Sequence, residues 1–158
     1  MTFITDRMKR RSDLRNGILQ YLSYLNHPIM NYAITRTIEN TDMAALKERT
    51  VEALKTEGFG VLTEIDLQAT LKKKLDKDHL PHVILGACNP GFAHQVVTLE
   101  PLISTMLPCN VIIRQLPDGK HEVAAIDPAA AMIGVQNPAV EPVAAQVRDA
   151  LKRVIGKV

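Results

Sequence analysis

Two cysteines offer the plainest chemistry in this sequence, and each lies in a Cys-Asn dipeptide beside a proline. The two segments are residues 88–90 (Cys-Asn-Pro) and 108–110 (Pro-Cys-Asn). A thiolate is a nucleophile and a ligand for thiophilic metals, and an asparagine amide both donates and accepts hydrogen bonds. The pattern therefore indicates a metal site, a reactive thiol or a small-ligand pocket. The structural alternative is two inert core thiols, because free cysteine is among the most buried residue types.

The metal hypothesis needs ligands from several segments. Cys88, His94 and Cys109, with Asp127 as a fourth ligand, would suit zinc or another thiophilic ion. No C-x2-C or H-x3-H pair supplies two ligands from one local loop. A metal site therefore requires the fold to bring together residues that are distant in sequence.

The thiol hypothesis centres on Cys88. This residue lies just before a predicted helix that starts near Gly91, and a helix N-terminus or His94 would lower the thiol pKa. Cys88 would then act as a nucleophile or carry persulfide sulfur.

The pocket hypothesis uses hydrogen-bond donors at the same place. The predicted ligand-binding residues are Cys88, Asn89, Cys109, Asn110 and Asp127, with helix N-terminal N–H groups beside them. Strand-end amides more often fix loops, and an aspartate before a proline is also a common turn. Each of these polar residues therefore has a structural interpretation as well.

Hydrophobic periodicity predicts five strands and four helices to position these residues. The third strand ends at Cys88 and the fourth begins beside Cys109. A helix opens at Thr41 as N-cap and ends before Gly58. The predicted strands are 30–38, 59–66, 83–88, 110–116 and 121–127, and the other helices are 67–75, 92–106 with a break at Glu100-Pro101, and one that begins at Asn137-Pro138.

The strand order decides whether the site residues meet. Asp118-Gly119 between two apolar runs predicts a hairpin, so the fourth and fifth strands are antiparallel. The elements do not alternate strictly, which favours an α+β two-layer sandwich with a mainly antiparallel sheet. If the third and fourth strands are also antiparallel, Cys88 and Cys109 share one end of the sheet with Asp127. If they are parallel, the thiols lie about 17–20 Å apart.

Both faces of the third and fourth strands are apolar, so both must be covered. A homodimer partner is the simplest cover for the second face, and the N-terminal arm is the alternative.

Composition bounds the class of protein. The 158 residues suit one domain, predicted here as residues 29–158, behind a basic arm at residues 1–28. Net charge is only +2, so nucleic-acid binding is not expected. Two cysteines, without a signal peptide or a membrane-spanning stretch, predict a cytoplasmic protein. The arm is expected to pack on the domain or a partner subunit; peripheral membrane contact is the less favoured alternative.

Four segments resemble the bacterial and archaeal "domain of unknown function 302" family over residues 30–156. They are EGFGVLTEID (57–66), ILGACNP (84–90), LPCNVII (107–113) and AAIDP (124–128). The resemblance implies a TATA-binding-protein-like β-α-β(4)-α fold, an antiparallel strand order, a shared cysteine rim and homodimers. It concerns topology and gives no warrant for DNA binding.

The sequence as a whole favours a homodimeric small-ligand- or metal-binding domain with Cys88 and Cys109 at its site. The alternatives are a thiol-dependent enzyme or sulfur carrier that uses Cys88, and a non-catalytic scaffold.

Overall fold

The computed structural model describes residues 32–158, so the predicted arm and the first residues of the predicted first strand lie outside the described residues. Two short 3-10 segments, Pro101–Met106 and Met132–Val135, connect longer elements. The elements in chain order are β1 (Ala33–Ile38), α1 (Met43–Thr56), β2 (Gly60–Asp66), α2 (Leu67–Leu75), β3 (His82–Cys88), α3 (Pro90–Leu99), β4 (Cys109–Gln115), β5 (His121–Ile126), α4 (Pro128–Ala131) and α5 (Glu141–Lys157).

The five strands form one sheet in the order β1-β5-β4-β3-β2, and every neighbouring pair is antiparallel. The α+β class and the antiparallel sheet predicted from the sequence are confirmed. The turn between β4 and β5 is built as the sequence indicated: Gly119 has φ +85°, and the Asp118 carboxylate accepts a hydrogen bond from the Lys120 N–H at 3.1 Å.

Helix α1 has a side-chain cap at its start and a glycine after its end. The Asp42 carboxylate accepts the Ala45 N–H at 2.9 Å, so the N-cap is Asp42 and not Thr41. At the other end, Gly58 has φ +77° and donates its N–H to the Lys55 carbonyl at 3.0 Å. This glycine fits because L side chains rarely adopt such a φ, and it turns the chain into β2.

The main core lies between one face of the sheet and the helices α1 and α5. The predicted apolar stripe of the last helix is buried throughout, at Val140, Val143, Val147, Leu151 and Val154. A second, smaller cluster of Val96, Ile103, Val140 and Val143 fixes α3 and the following 3-10 segment against α5. No helix in residues 32–158 is long and apolar enough to cross a membrane.

Candidate functional site

The antiparallel pairing of β3 and β4 brings the two cysteines to one end of the sheet. Ala87 is the cross-strand partner of Cys109, and Cys88 pairs with Gly60 on the other side. Asp127 directly follows β5, which runs antiparallel to β4, so it lies at the same end. We call this the cysteine end of the sheet.

An apolar cavity of about 20 Å³ lies at the cysteine end, and we call it the rim cavity. That volume is above what one water molecule requires. Strand ends, α3, α4 and α5 all contribute walls. The lining residues are Phe59, Ala87, Cys88, Asn89, Phe92, Ala93, Val96, Leu107, Cys109, Pro128, Met132, Ala144 and Val147.

The two thiols that line the rim cavity differ in exposure. Cys109 is buried, with 7% of its surface exposed, whereas Cys88 is half-buried. Burial, with a smaller contribution from charge on Cys88, raises the pKa of Cys109 to about 11. At neutral pH Cys109 is therefore a protonated thiol and presents a neutral wall to the cavity.

Asn89 forms hydrogen bonds within the fold through both ends of its carboxamide. Its Oδ1 accepts hydrogen bonds from the N–H groups of Gly91 (3.0 Å) and Phe92 (3.3 Å), and its Nδ2 donates to the Glu57 carbonyl (3.2 Å). Pro90 has no N–H, and the Ala93 N–H donates to the Asn89 carbonyl at 2.9 Å. The first turn of α3 therefore presents N–H groups that are already bonded within the chain.

The other two polar residues of the predicted site have different positions: Asp127 caps a helix, and Asn110 is exposed on a strand. The Asp127 carboxylate accepts the N–H groups of Ala129 (2.9 Å) and Ala130 (3.3 Å), and so begins α4. Asn110 is exposed on β4, opposite Gly86. Of the predicted ligand-binding set, only Cys88, Asn89 and Cys109 line the rim cavity.

The described residues do not bring together a set of side chains that could coordinate a metal ion. His94 lies exposed on α3. Within residues 32–158, no three His, Cys, Asp or Glu side chains are grouped so that they could hold an ion. Zinc or another thiophilic metal at Cys88, His94 and Cys109 therefore stays a prediction from the sequence.

The apolar walls of the cavity were not among the site residues predicted from the sequence. Phe59, Phe92, Met132, Ala144 and Val147 come from four separate stretches of the chain. Of these, only Val147 belongs to a predicted apolar stripe, and such a stripe equally describes ordinary core residues.

The described residues define a single-sheet α+β domain with an apolar cavity beside two cysteines. Residues 34–158 match the family described as "Domain of unknown function DUF302", and the chain belongs to this family. The crystal structure of the uncharacterized conserved protein DUF302 from Bacillus stearothermophilus is similar, with a TM-score of 0.75 and 29% sequence identity, covering 80% of this chain and 97% of that chain. No curated protein matches this chain. The family recognised from the four sequence segments is confirmed.

Proposed function

We propose that this protein is a binding module that takes a small uncharged ligand, or the apolar end of a larger one, into the rim cavity. The observation that supports this proposal most directly is the nature of the walls: apart from Asn89 and the two cysteines, every lining residue is apolar. Apolar surface gains about 25 cal/mol per Å² when it leaves water. A cavity of this kind favours the binding of an apolar group and disfavours the binding of a charged one.

The polar groups beside the cavity favour a neutral ligand over an anion. The Asn89 carboxamide already occupies the N–H groups of Gly91 and Phe92 that would otherwise hold an anion. No acidic or basic side chain lines the cavity. Cys109 contributes a protonated thiol, which is a weak hydrogen-bond donor.

The alternative function at the rim cavity is that of a thiol enzyme or a sulfur carrier, with Cys88 as the reacting residue. Cys88 is half-buried and lines the cavity, so a ligand held there would lie beside its sulfur. The satisfied N–H groups of α3 remove one means of stabilising a thiolate, which is why binding without covalent chemistry is our preferred proposal.

We also propose that the protein is a homodimer, as the two apolar faces of the sheet suggested. On the face opposite α1 and α5, cross-strand pairing aligns Ile65, Ile84 and Ile112 in one row. Ile65 remains 46% exposed. Light scattering on the purified full-length chain tests this: a mass of two chains supports the dimer, and a monomer at micromolar concentration contradicts it.

The binding proposal is tested by titrating the ¹⁵N-labelled full-length chain with butanol and hexanol, and with butanoate and hexanoate as charged counterparts. We expect the alkanols to shift the amide signals of Phe92, Cys109 and Ala144, and the carboxylates to shift them much less. Ala144→Val narrows the cavity and should weaken alkanol binding, whereas the matched control Ala139→Val, at an exposed position, should not.

Equal binding of alkanols and carboxylates would contradict the proposal. So would the absence of any alkanol response at the cavity residues, or an unchanged response in Ala144→Val. Circular dichroism of both variants establishes that each is folded before its binding is compared.

A further inference from the structure

A histidine pair lies at the end of the sheet opposite the cysteines. His82 begins β3, and its ring centroid is 5.5 Å from that of His79, which lies in the loop between α2 and β3. His82 is half-buried, and its Nδ1 is buried with no hydrogen-bond partner among residues 32–158. A neutral imidazole tolerates this because one ring nitrogen carries no proton. An imidazolium carries a proton on both nitrogens and would leave a buried donor unpaired.

The charged groups around His82 also disfavour its protonation. Arg114 is its cross-strand partner on β4, and the Arg114 Nε donates to the Glu122 carboxylate on β5 at 2.6 Å. Burial, and then the neighbouring His79 and Arg114, lower the pKa of His82, and the opposing effect of Glu122 is smaller. Protonating His82 adds a positive charge to a cluster in which Glu122 already pairs with Arg114.

The loop that carries His79, residues 76–81, is held to its surroundings by hydrogen bonds and by ion pairs from Lys72 on α2 to Asp76 (2.7 Å) and Asp78 (3.0 Å). Gln68 Nε2 donates to the His79 carbonyl at 2.8 Å, and the Gln115 N–H donates to the Pro81 carbonyl at 2.9 Å. The His79 Nδ1 lies 2.7 Å from the Leu80 carbonyl. Because Gln115 is on β4, its amide proton reports whether the loop is docked on the sheet.

We propose that residues 76–81 form a proton-operated latch with His82 as its sensor. The loop is docked while His82 is neutral, and protonation of His82 drives its ring out of the buried position and releases the loop from the start of β3. Residues 76–81 lie away from the rim cavity. A failure of the ligand-binding proposal would therefore not contradict this one.

Amide hydrogen exchange and histidine ring titration, both by NMR on the full-length chain, test the latch. After correction for intrinsic exchange rates, we expect the protection of the Gln115 amide to fall as the pH falls from 7.5 to 5.5, by up to about tenfold, which is the limit set by an ordinary histidine pKa of 6.5 for His82 when the loop is released. The same loss is expected in the control His94→Gln, which changes an exposed histidine on α3. His82→Gln should remove the pH dependence.

Gln115 protection that is independent of pH in the wild-type chain would overturn the proposal, and so would an undiminished pH dependence in His82→Gln. A second measurement needs no variant: linkage requires Gln115 protection to change over a pH range bounded by the ordinary histidine pKa of 6.5 and the titration midpoint of the His82 ring. A change confined to a pH range outside these limits would also overturn the assignment.

Discussion

Cys109 combines burial with a strongly raised pKa, and its reactivity follows from both. A thiol with a pKa of about 11 is ionised in only about one molecule in 10⁴ at pH 7, against a few per cent for an ordinary thiol. We predict that iodoacetamide alkylates Cys109 in the native protein at least about 100-fold more slowly than in the urea-unfolded chain. Peptide mass spectrometry over a time course measures both rates.

If Cys109 is alkylated in the native protein as fast as in the urea-unfolded chain, it is not the buried, protonated thiol described above. The same experiment reports on Cys88, which is half-buried and serves as the internal comparison. Labelling of native Cys88 faster than in the unfolded chain would favour the thiol-enzyme alternative, because only an activated thiolate reacts faster than a free one.

Asn89 joins the start of α3 to the end of α1 and lines the rim cavity. Asn89→Ala removes the N-cap of α3 and the link to the Glu57 carbonyl, so we expect a loss of about 1–2 kcal/mol in the free energy of unfolding. Asn110→Ala, at an exposed strand position, should change it by less than about 0.5 kcal/mol.

Urea denaturation of the two asparagine variants measures these differences. Similar stabilities would contradict the capping role of Asn89. Asn89→Asp separates its two contributions, since a carboxylate still accepts the Gly91 N–H but cannot donate to the Glu57 carbonyl.

The elements were largely predictable from the sequence because each carries a local signal. Asp118-Gly119 marked the hairpin, and the spacing of the apolar residues marked α5. The cap of α1 was misplaced by one residue because Thr41 and Asp42 are both good N-caps, and only the carboxylate reaches the Ala45 N–H. Helix α4 was missed because residues 128–131 (Pro-Ala-Ala-Ala) show no amphipathic period.

The candidate site was predictable only in part. Strand ends marked where Cys88 and Cys109 lie, but nothing local in the sequence showed that Met132, Ala144 and Val147 close a cavity beside them. Cavities depend on the packing of segments that are distant in sequence. Residue type alone left open a loop-fixing role for Asn89 and a turn role for Asp127, whereas the structure shows that both side chains are helix caps.

At the scale of the whole molecule, Glu57 connects the ends of two helices that are far apart in sequence. Its carboxylate pairs with Lys157 at 2.7 Å and Arg153 at 2.9 Å, both on α5. The Lys157 hydrogen bond, followed by that of Arg153, holds the pKa of Glu57 below its ordinary value of 4.5. Its stabilising effect is therefore present above pH 4.5 and is lost as the pH falls through the lower, folded-state pKa.

We predict that Glu57→Gln is less stable than the wild type at pH 7, and that the difference shrinks as the pH falls below 4.5. The control Glu52→Gln removes an exposed carboxylate that pairs with Lys55 within α1, and should have a smaller effect at pH 7. Thermal unfolding from pH 3 to pH 7 measures this; a difference that grows toward low pH would contradict the assigned direction.

A crystal of this protein pressurised with xenon tests whether the rim cavity accepts an apolar ligand. Xenon is neutral and enters apolar cavities without hydrogen bonds. We predict an anomalous-scattering peak between Phe92, Cys109 and Ala144, which is lost or weakened in Ala144→Val. Diffraction that shows xenon bound elsewhere, with no peak in the rim cavity, would contradict this prediction.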